Sequence, residues 1–221
     1  MIVLLSHRLT TDQPNWPGAP GMTLRPEHQM SRGDVADTHV ISIYSHYGTH
    51  CDLPSHFIPG GSTLSDLTAD RLVFTRPVVL DIELADDALL TADDLRAHAD
   101  LLSTADLVMI RSGFQRHRGD HARYESHGPG FTEEAAQFLR DTAPDLRGVA
   151  IDWLSVCAGQ HVDHGVAAHR RLLDEEHQPF LLIVEDVDLA ALGGATPSRV
   201  FVTPLLIDSL DGSPCTILAE V

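Results

Sequence analysis

From His46 to Phe57 the chain reads HYGTHCDLPSHF, and His46, His50, Asp52 and His56 fall within eleven positions, all even-numbered. In an extended segment a period of two puts them on one face. Two imidazoles and a carboxylate, with one position left for water, form the ligand set of a catalytic zinc or manganese ion. An ion held this way makes its water nucleophilic near neutral pH. His56, beyond the turn at Pro54, is left to act as general base and acid. A straight strand would hold His46 and His50 about 13 Å apart at roughly 3.3 Å per residue, too far for one ion. The chain must bend, and Gly48 is the residue that permits a bulge or a positive-φ turn. Gly48, Thr49 and Pro54 argue against a helix using the four-residue spacing. With 14 histidines in 221 residues, a bland reading stays open: partly exposed histidines beside an edge strand.

Positioning these residues requires a scaffold. Short apolar, β-branched runs at Val40 to Tyr44, Pro77 to Ile82, Asp106 to Ile110, Gly148 to Ile151, Phe180 to Val184, Val200 to Ile207 and Cys215 to Ala219 read as strands. The last two look like a hairpin or close pair around Asp211 and Gly212. Helices are expected at Thr91 to Ala99, at Thr132 to Thr142 before Pro144, and from Gly165 to Glu176. In the third, Val166, His169, Leu172 and Leu173 share one face. A helix between the Gly148 and Phe180 strands suggests a βαβ crossover, and the expectation is an α/β fold with a mixed β-sheet core and flanking helices. Asp12 to Pro26, with four prolines and two glycines, reads as an irregular arm. No repeat or linker divides residues 1–221, so a single domain is expected.

Composition narrows the partners. There are 32 acidic residues against 15 basic ones, every basic residue is Arg, and the net charge is −17. That field repels phosphate backbones and anionic headgroups, so neither nucleic acid nor a membrane surface is expected, and a small-molecule substrate is. The apolar run in MIVLLSHRLT is too short for a signal-peptide core or a membrane span, and the sparse Cys51, Cys157 and Cys215 suit a reducing compartment. A cytoplasmic protein is the expectation. GxSxG, P-loop and GxGxxG patterns are missing, so neither serine catalysis nor a nucleotide cofactor is indicated.

HYGTHCDLPSHF resembles the HxGTHxDxPxHF motif of the metal-dependent cyclase and kynurenine formamidase family. The resemblance extends through SHRLTTDQPNWPG, DLVMIRSGF, GVAIDWLSV, AAHRRLL and LLIVEDVDL, in that order. It implies a cyclase-like fold, assembly as a homodimer or higher homo-oligomer, and hydrolysis of formyl amides or related cyclic amides. Carried over, the metal ligands fall on His46, His50 and Asp52, and the catalytic histidine on His56. In binuclear members, the bridging aspartate, the His of an AHxxLL segment and the Glu of an ILEN-like strand end correspond to Asp52, His169 and Glu185. Asp186 stands in place of the usual Asn, and Cys157 where an Asp is frequent. One or two ions, zinc or manganese, are therefore open.

Without the resemblance, His169 reads as a core histidine and Glu185 as an exposed strand end. His161, Asp163 and His164 could supply ligands instead, while His117, His121 and His127 read as a solvated loop. Trp16 and Phe57 are candidate walls of an aromatic substrate pocket, with Trp153 a weaker one. The expected activity is arylformamidase-like hydrolysis, with N-formylkynurenine, a metabolite of tryptophan catabolism, as first substrate. The alternatives are another carbonyl (an isatin-like lactam, a lactone or a secondary-metabolite cyclisation) or a non-catalytic metal- or pH-responsive binding protein.

Overall fold

The computed structural model describes residues 1–176 and 179–221. In chain order the strands are β1 (Ile2–Leu4), β2 (Thr23–His28), β3 (Thr38–Ser42), β4 (His50–Asp52), β5 (Val73–Phe74), β6 (Pro77–Asp81), β7 (Leu89–Leu90), β8 (Leu107–Arg111), β9 (Gly130–Phe131), β10 (Gly148–Ile151), β11 (Leu182–Glu185), β12 (Arg199–Pro204) and β13 (Gly212–Glu220). The helices are α1 (Ala92–Arg96), α2 (Ala99–Leu102), α3 (His121–Ser126), α4 (Glu133–Thr142) and α5 (Val162–Leu173).

One mixed sheet runs β5-β12-β13-β4-β11-β10-β8-β6, with β1 also on β13. The β6, β8, β10 and β11 pairs are parallel, while β4 lies antiparallel between β11 and β13. The α5 crossover between β10 and β11 is the βαβ unit the sequence suggests. Alternating side chains separate two cores. One carries Ile151, Ile183 and Trp153 with the inward faces of α4 and α5. The other carries Cys51, Leu182 and Val184 with Val200 and Ile217.

Several boundaries differ from expectation for identifiable reasons. The arm is irregular only as far as Met22, because Thr23–His28 pairs with Thr38–Ser42 in a two-stranded ribbon. A register shift between Pro26 and His28 accommodates the proline, as edge ribbons allow. Helix α5 begins at Val162, and Gly165 lies inside it: a Cβ there would stand 2.4 Å from Cys157 Cα, so the glycine marks close packing and not a helix start. The segment with His117 and His121 is not a loop but a 3-10 turn, Phe114–His117, followed by α3. Thr132 caps α4 by accepting the Ala135 N–H at 3.1 Å, as its sequence implies. The stretch Thr91 to Ala99 divides between α1 and α2.

Candidate metal centre

Strand β4 is three residues long, yet its register builds most of the site. His50 lies opposite Glu185 on β11, and Asp52 lies opposite Gly212 on β13. His50 and Asp52 project to the α5 side while Cys51 enters the opposite core. The even-numbered face is broken where the bend was required: Gly48 has φ of 66°, and a Cβ on it would meet Leu9 Cδ2 at 2.5 Å and Gln13 Nε2 at 2.6 Å. This turn draws the His46 and His50 rings to 5.1 Å between centroids. Helix α5 lowers His169 onto the same spot, and the Pro54–His56 turn brings His56 back over His46, with stacked rings 3.9 Å apart.

His50, Asp52, His169 and Glu185 are all buried. The two rings are held in one tautomer: His50 Nδ1–H donates to the Gly48 carbonyl at 2.7 Å, and His169 Nδ1–H to the Gly165 carbonyl at 2.8 Å. Each therefore turns Nε2 toward the carboxylates, the arrangement that orients metal-ligating histidines. His50 Nε2 lies 3.4 Å from Asp52 Oδ1 and 3.3 Å from Glu185 Oε2; His169 Nε2 lies 3.7 Å from Asp52 Oδ2 and 3.5 Å from Glu185 Oε1. These separations exceed good hydrogen bonds. His50, Asp52 and Glu185 offer three donor atoms within 4.8 Å of one another, close enough to hold a metal ion, and His169 stands against the other oxygen of each carboxylate. Asp52 Oδ2 is moreover a buried oxygen without a hydrogen-bond partner. The residues fit a divalent cation.

Electrostatics agree. Burial works against charge on His169, but Asp52 and Glu185 outweigh it and raise its pKa to about 9. Burial likewise opposes protonation of His46, yet Asp52 and Asp211 push it up to about 11. Glu185 is driven down to about 2, His169 and His50 overcoming burial and the Asp52 charge. The pocket holds anionic carboxylates that demand positive charge, which protons supply when no ion does.

Two donor groups share Asp52: His50 with Glu185, and His46 with His56. In the second, contacts have hydrogen-bond length. His46 Nδ1 is 2.8 Å from Asp52 Oδ1, His46 Nε2 is 2.9 Å from Asp211 Oδ2, and His56 Nδ1 is 2.8 Å from the same Asp211 oxygen. Asp211 is the residue sequence reasoning missed. It was legible only as half of an Asp-Gly turn, 155 positions from its partner His56.

Glu185 is not an exposed strand end, because β11 is covered on both faces and its carboxylate accepts the Val156 N–H at 2.6 Å and the Ser155 hydroxyl at 3.1 Å. His169 does not pack as a core ring, because its Nε2 meets carboxylates. Asp163 and His164 are exposed on the first turn of α5 and His161 precedes it, so this trio joins neither donor group. Trp16 and Phe57 line a cavity of about 240 Å³ above the donors, with Tyr44, Leu154, Val162 and Val166. Cys157 borders the same cavity, and burial lifts its thiol to about 11. Trp153 is core, beside Phe131.

Residues 3–157 match the family model described as "Putative cyclase". The chain belongs to this cyclase family. An isatin hydrolase of Roseibium aggregatum is 32% identical over 202 residues, 80% of this chain and 72% of its own. Cyclase-like protein 2 of Arabidopsis thaliana is 25% identical over 216 residues, 95% of this chain and 75% of its own. A crystal structure of an isatin hydrolase bound to the product analogue thioisatinate superposes with a TM-score of 0.82 at 24% identity, over 100% of this chain and 92% of the other. The cyclase-like α/β architecture is therefore the observed one. This cyclase-family protein carries a His/Asp/Glu cluster that could hold a metal ion. Among the described residues no helix is long and apolar enough to cross a membrane.

Proposed function

We propose that this cyclase-family protein hydrolyses the carbon–nitrogen bond of a compact aromatic amide, with an aryl formamide as the first substrate class. The observation that carries the reading is a buried donor group of His50, Asp52 and Glu185, with His169 against the other oxygen of each carboxylate and one Asp52 oxygen unpartnered, next to an apolar cavity that His50 and His169 line. His50, Asp52 and Glu185 would hold a zinc or manganese ion, with His169 beside them at the second oxygen of each carboxylate. His46 is the ligand a second ion would recruit, in exchange for its bond to Asp52 or to Asp211. A bound ion supplies Lewis acidity that polarises a carbonyl and makes water nucleophilic at neutral pH.

The chain's own residues do the rest. Trp16 and Phe57 grip an aromatic ring and exclude bulk water. His56, bonded through Nδ1 to Asp211, presents Nε2 to take a proton from water and return it to the departing nitrogen.

A second reading, an isatin-like lactam, has specific support. The isatin hydrolase relative is one part of it. The other is charge: arginine is the only permanently cationic side chain in this sequence, and none lines the cavity. A free amino-acid carboxylate, as on N-formylkynurenine, would find no guanidinium there, whereas a neutral lactam or simple formanilide needs none. The test is elemental analysis of protein purified without added metal, combined with turnover of formanilides, N-formylkynurenine, isatin and lactones. Metal-dependent cleavage of neutral aryl amides, ahead of N-formylkynurenine, is expected. Full metal occupancy with no turnover of formamides, lactams or lactones would reject the reading in favour of a non-catalytic metal- or pH-responsive protein. Lactone cleavage alone would move it to another carbonyl.

A homo-oligomer is proposed as well. The β2–β3 ribbon has no buried residue and exposes Leu24, Val40 and Ile41, an apolar surface that assembly would cover. Sedimentation at micromolar concentration tests it, and a monomer there would dismiss it.

A further inference from the structure

Asp211 belongs to no motif, yet it touches both histidines on the cavity side of the site. We propose that Asp211 is a positioning residue, whose carboxylate fixes the ring orientation and tautomer of His56 through Nδ1. The inference rests on the reading of His56 as the acid–base group.

The geometry is specific. One oxygen, Oδ2, lies 2.8 Å from His56 Nδ1 and 2.9 Å from His46 Nε2. The two rings stack with centroids 3.9 Å apart and planes inclined by 24°, so a single acceptor reaches both edges. A carboxylate only accepts, so the His56 proton facing it sits on Nδ1, and Nε2 is left for the cavity that His56 lines. A histidine whose wrong nitrogen carries the proton cannot act as base toward a substrate.

The main chain delivers Asp211 to this place. Its carbonyl accepts the Leu53 N–H at 2.9 Å, one residue from Asp52. Gly212 follows, where a Cβ would stand 2.5 Å from the Cys51 carbonyl oxygen and 2.7 Å from His46 Cε1. The backbone therefore passes the histidine rings at closest approach, held by contacts that do not involve the carboxylate. The Asp211 side chain remains one-third exposed and is not needed to fill the core.

The test is a set of variants of the metal-containing enzyme, assayed with whichever neutral aryl amide it cleaves fastest. Asp211→Ala is expected to lower kcat by about 10- to 100-fold, part of the typical contribution of a positioned acid–base group. KM should stay within about threefold, and metal content by elemental analysis should not change. Asp211→Asn, whose amide oxygen can still accept from Nδ1, should recover at least about fivefold of that loss. In a His56→Ala background, Asp211→Ala should change kcat by less than about twofold, because the group it positions is gone. Should Asp211→Ala not fold, Asp211→Glu keeps the charge but displaces the oxygens by one methylene, and reads the same division between kcat and KM.

Wild-type kcat in Asp211→Ala overturns the proposal, and so does an undiminished effect in the His56→Ala background. Loss of metal in step with loss of activity overturns it too, since Asp211 would then act through His46. If His56→Ala itself turns over at the wild-type rate, the acid–base reading of His56 fails first, and that outcome is distinguishable from the others.

Discussion

Glu185 and Asp186 are consecutive and both buried, but their carboxylates are treated in opposite ways. Asp186, in the left-handed region with φ of 52°, is clasped by Arg118, whose Nε and Nη2 donate at 2.9 and 2.8 Å, and by the Tyr124 hydroxyl at 2.8 Å. Its main-chain carbonyl accepts the Thr49 hydroxyl at 2.6 Å, next to His50. That charge is neutralised inside the protein. Glu185 faces two imidazoles at 3.3 and 3.5 Å beside an unpartnered Asp52 oxygen, with no guanidinium on it. The difference separates a closed ion pair, which braces the end of β11, from an open cluster that is completed by a ligand.

The comparison can be broken most severely at the open cluster. His50→Ala or Asp52→Ala should abolish metal retention and lower kcat/KM by roughly 10³-fold or more, measured by elemental analysis and amide hydrolysis. Retained metal with full activity would remove the distinction. At the closed cluster the effect should be on stability: Arg118→Leu strands the Asp186 charge and should lower unfolding free energy by about 3 kcal/mol in denaturant titration. The folded variant should still bind metal. Chelation should cost the wild type about 2.7 kcal/mol if the ion stands at a hundred times its Kd. Tyr124→Phe, which deletes one bond to Asp186, should lose about 1–2 kcal/mol and show the same chelator shift as wild type.

The finest distinction is in pH. In metal-stripped protein the His169 pKa is raised from 6.5 to about 9. A raised folded-state value stabilises below the unfolded value and loses that contribution as pH rises through the folded one. Stripped protein should therefore lose stability between about pH 6.5 and 9, whereas metal-loaded protein should lose less. Identical pH profiles for the two forms would argue that no ion replaces those protons.

What could be read along the chain was local. The strands from Pro77, Gly148 and Phe180 and the capped helix after Thr132 follow from apolar periodicity and turn chemistry, whose range is a few residues. The same holds for the bend at Gly48. Boundaries were misjudged where a distant contact decided them, as when Cys157 requires a glycine inside α5. Glu185 and His169 were visible only by resemblance. Nothing in a strand-end Glu or a helix-face His distinguishes a ligand from a surface or core residue until the register with β4 is known. Asp211 had no signal beyond its turn.

Taken alone, the sequence determined that His46, His50, Asp52 and His56 fall within eleven residues of a segment that Gly48 allows to bend. It also determined the absence of lysine, and with it the shortage of cations around so many acids. Only the tertiary structure decided which acids stay open. Burying β4 between β11 and β13 sets Glu185 against His50, and Gly212 lets Asp211 reach two rings, while Arg118 closes Asp186. A carboxylate's role depends on the charge that meets it after folding, and partners tens to hundreds of residues away are chosen by packing.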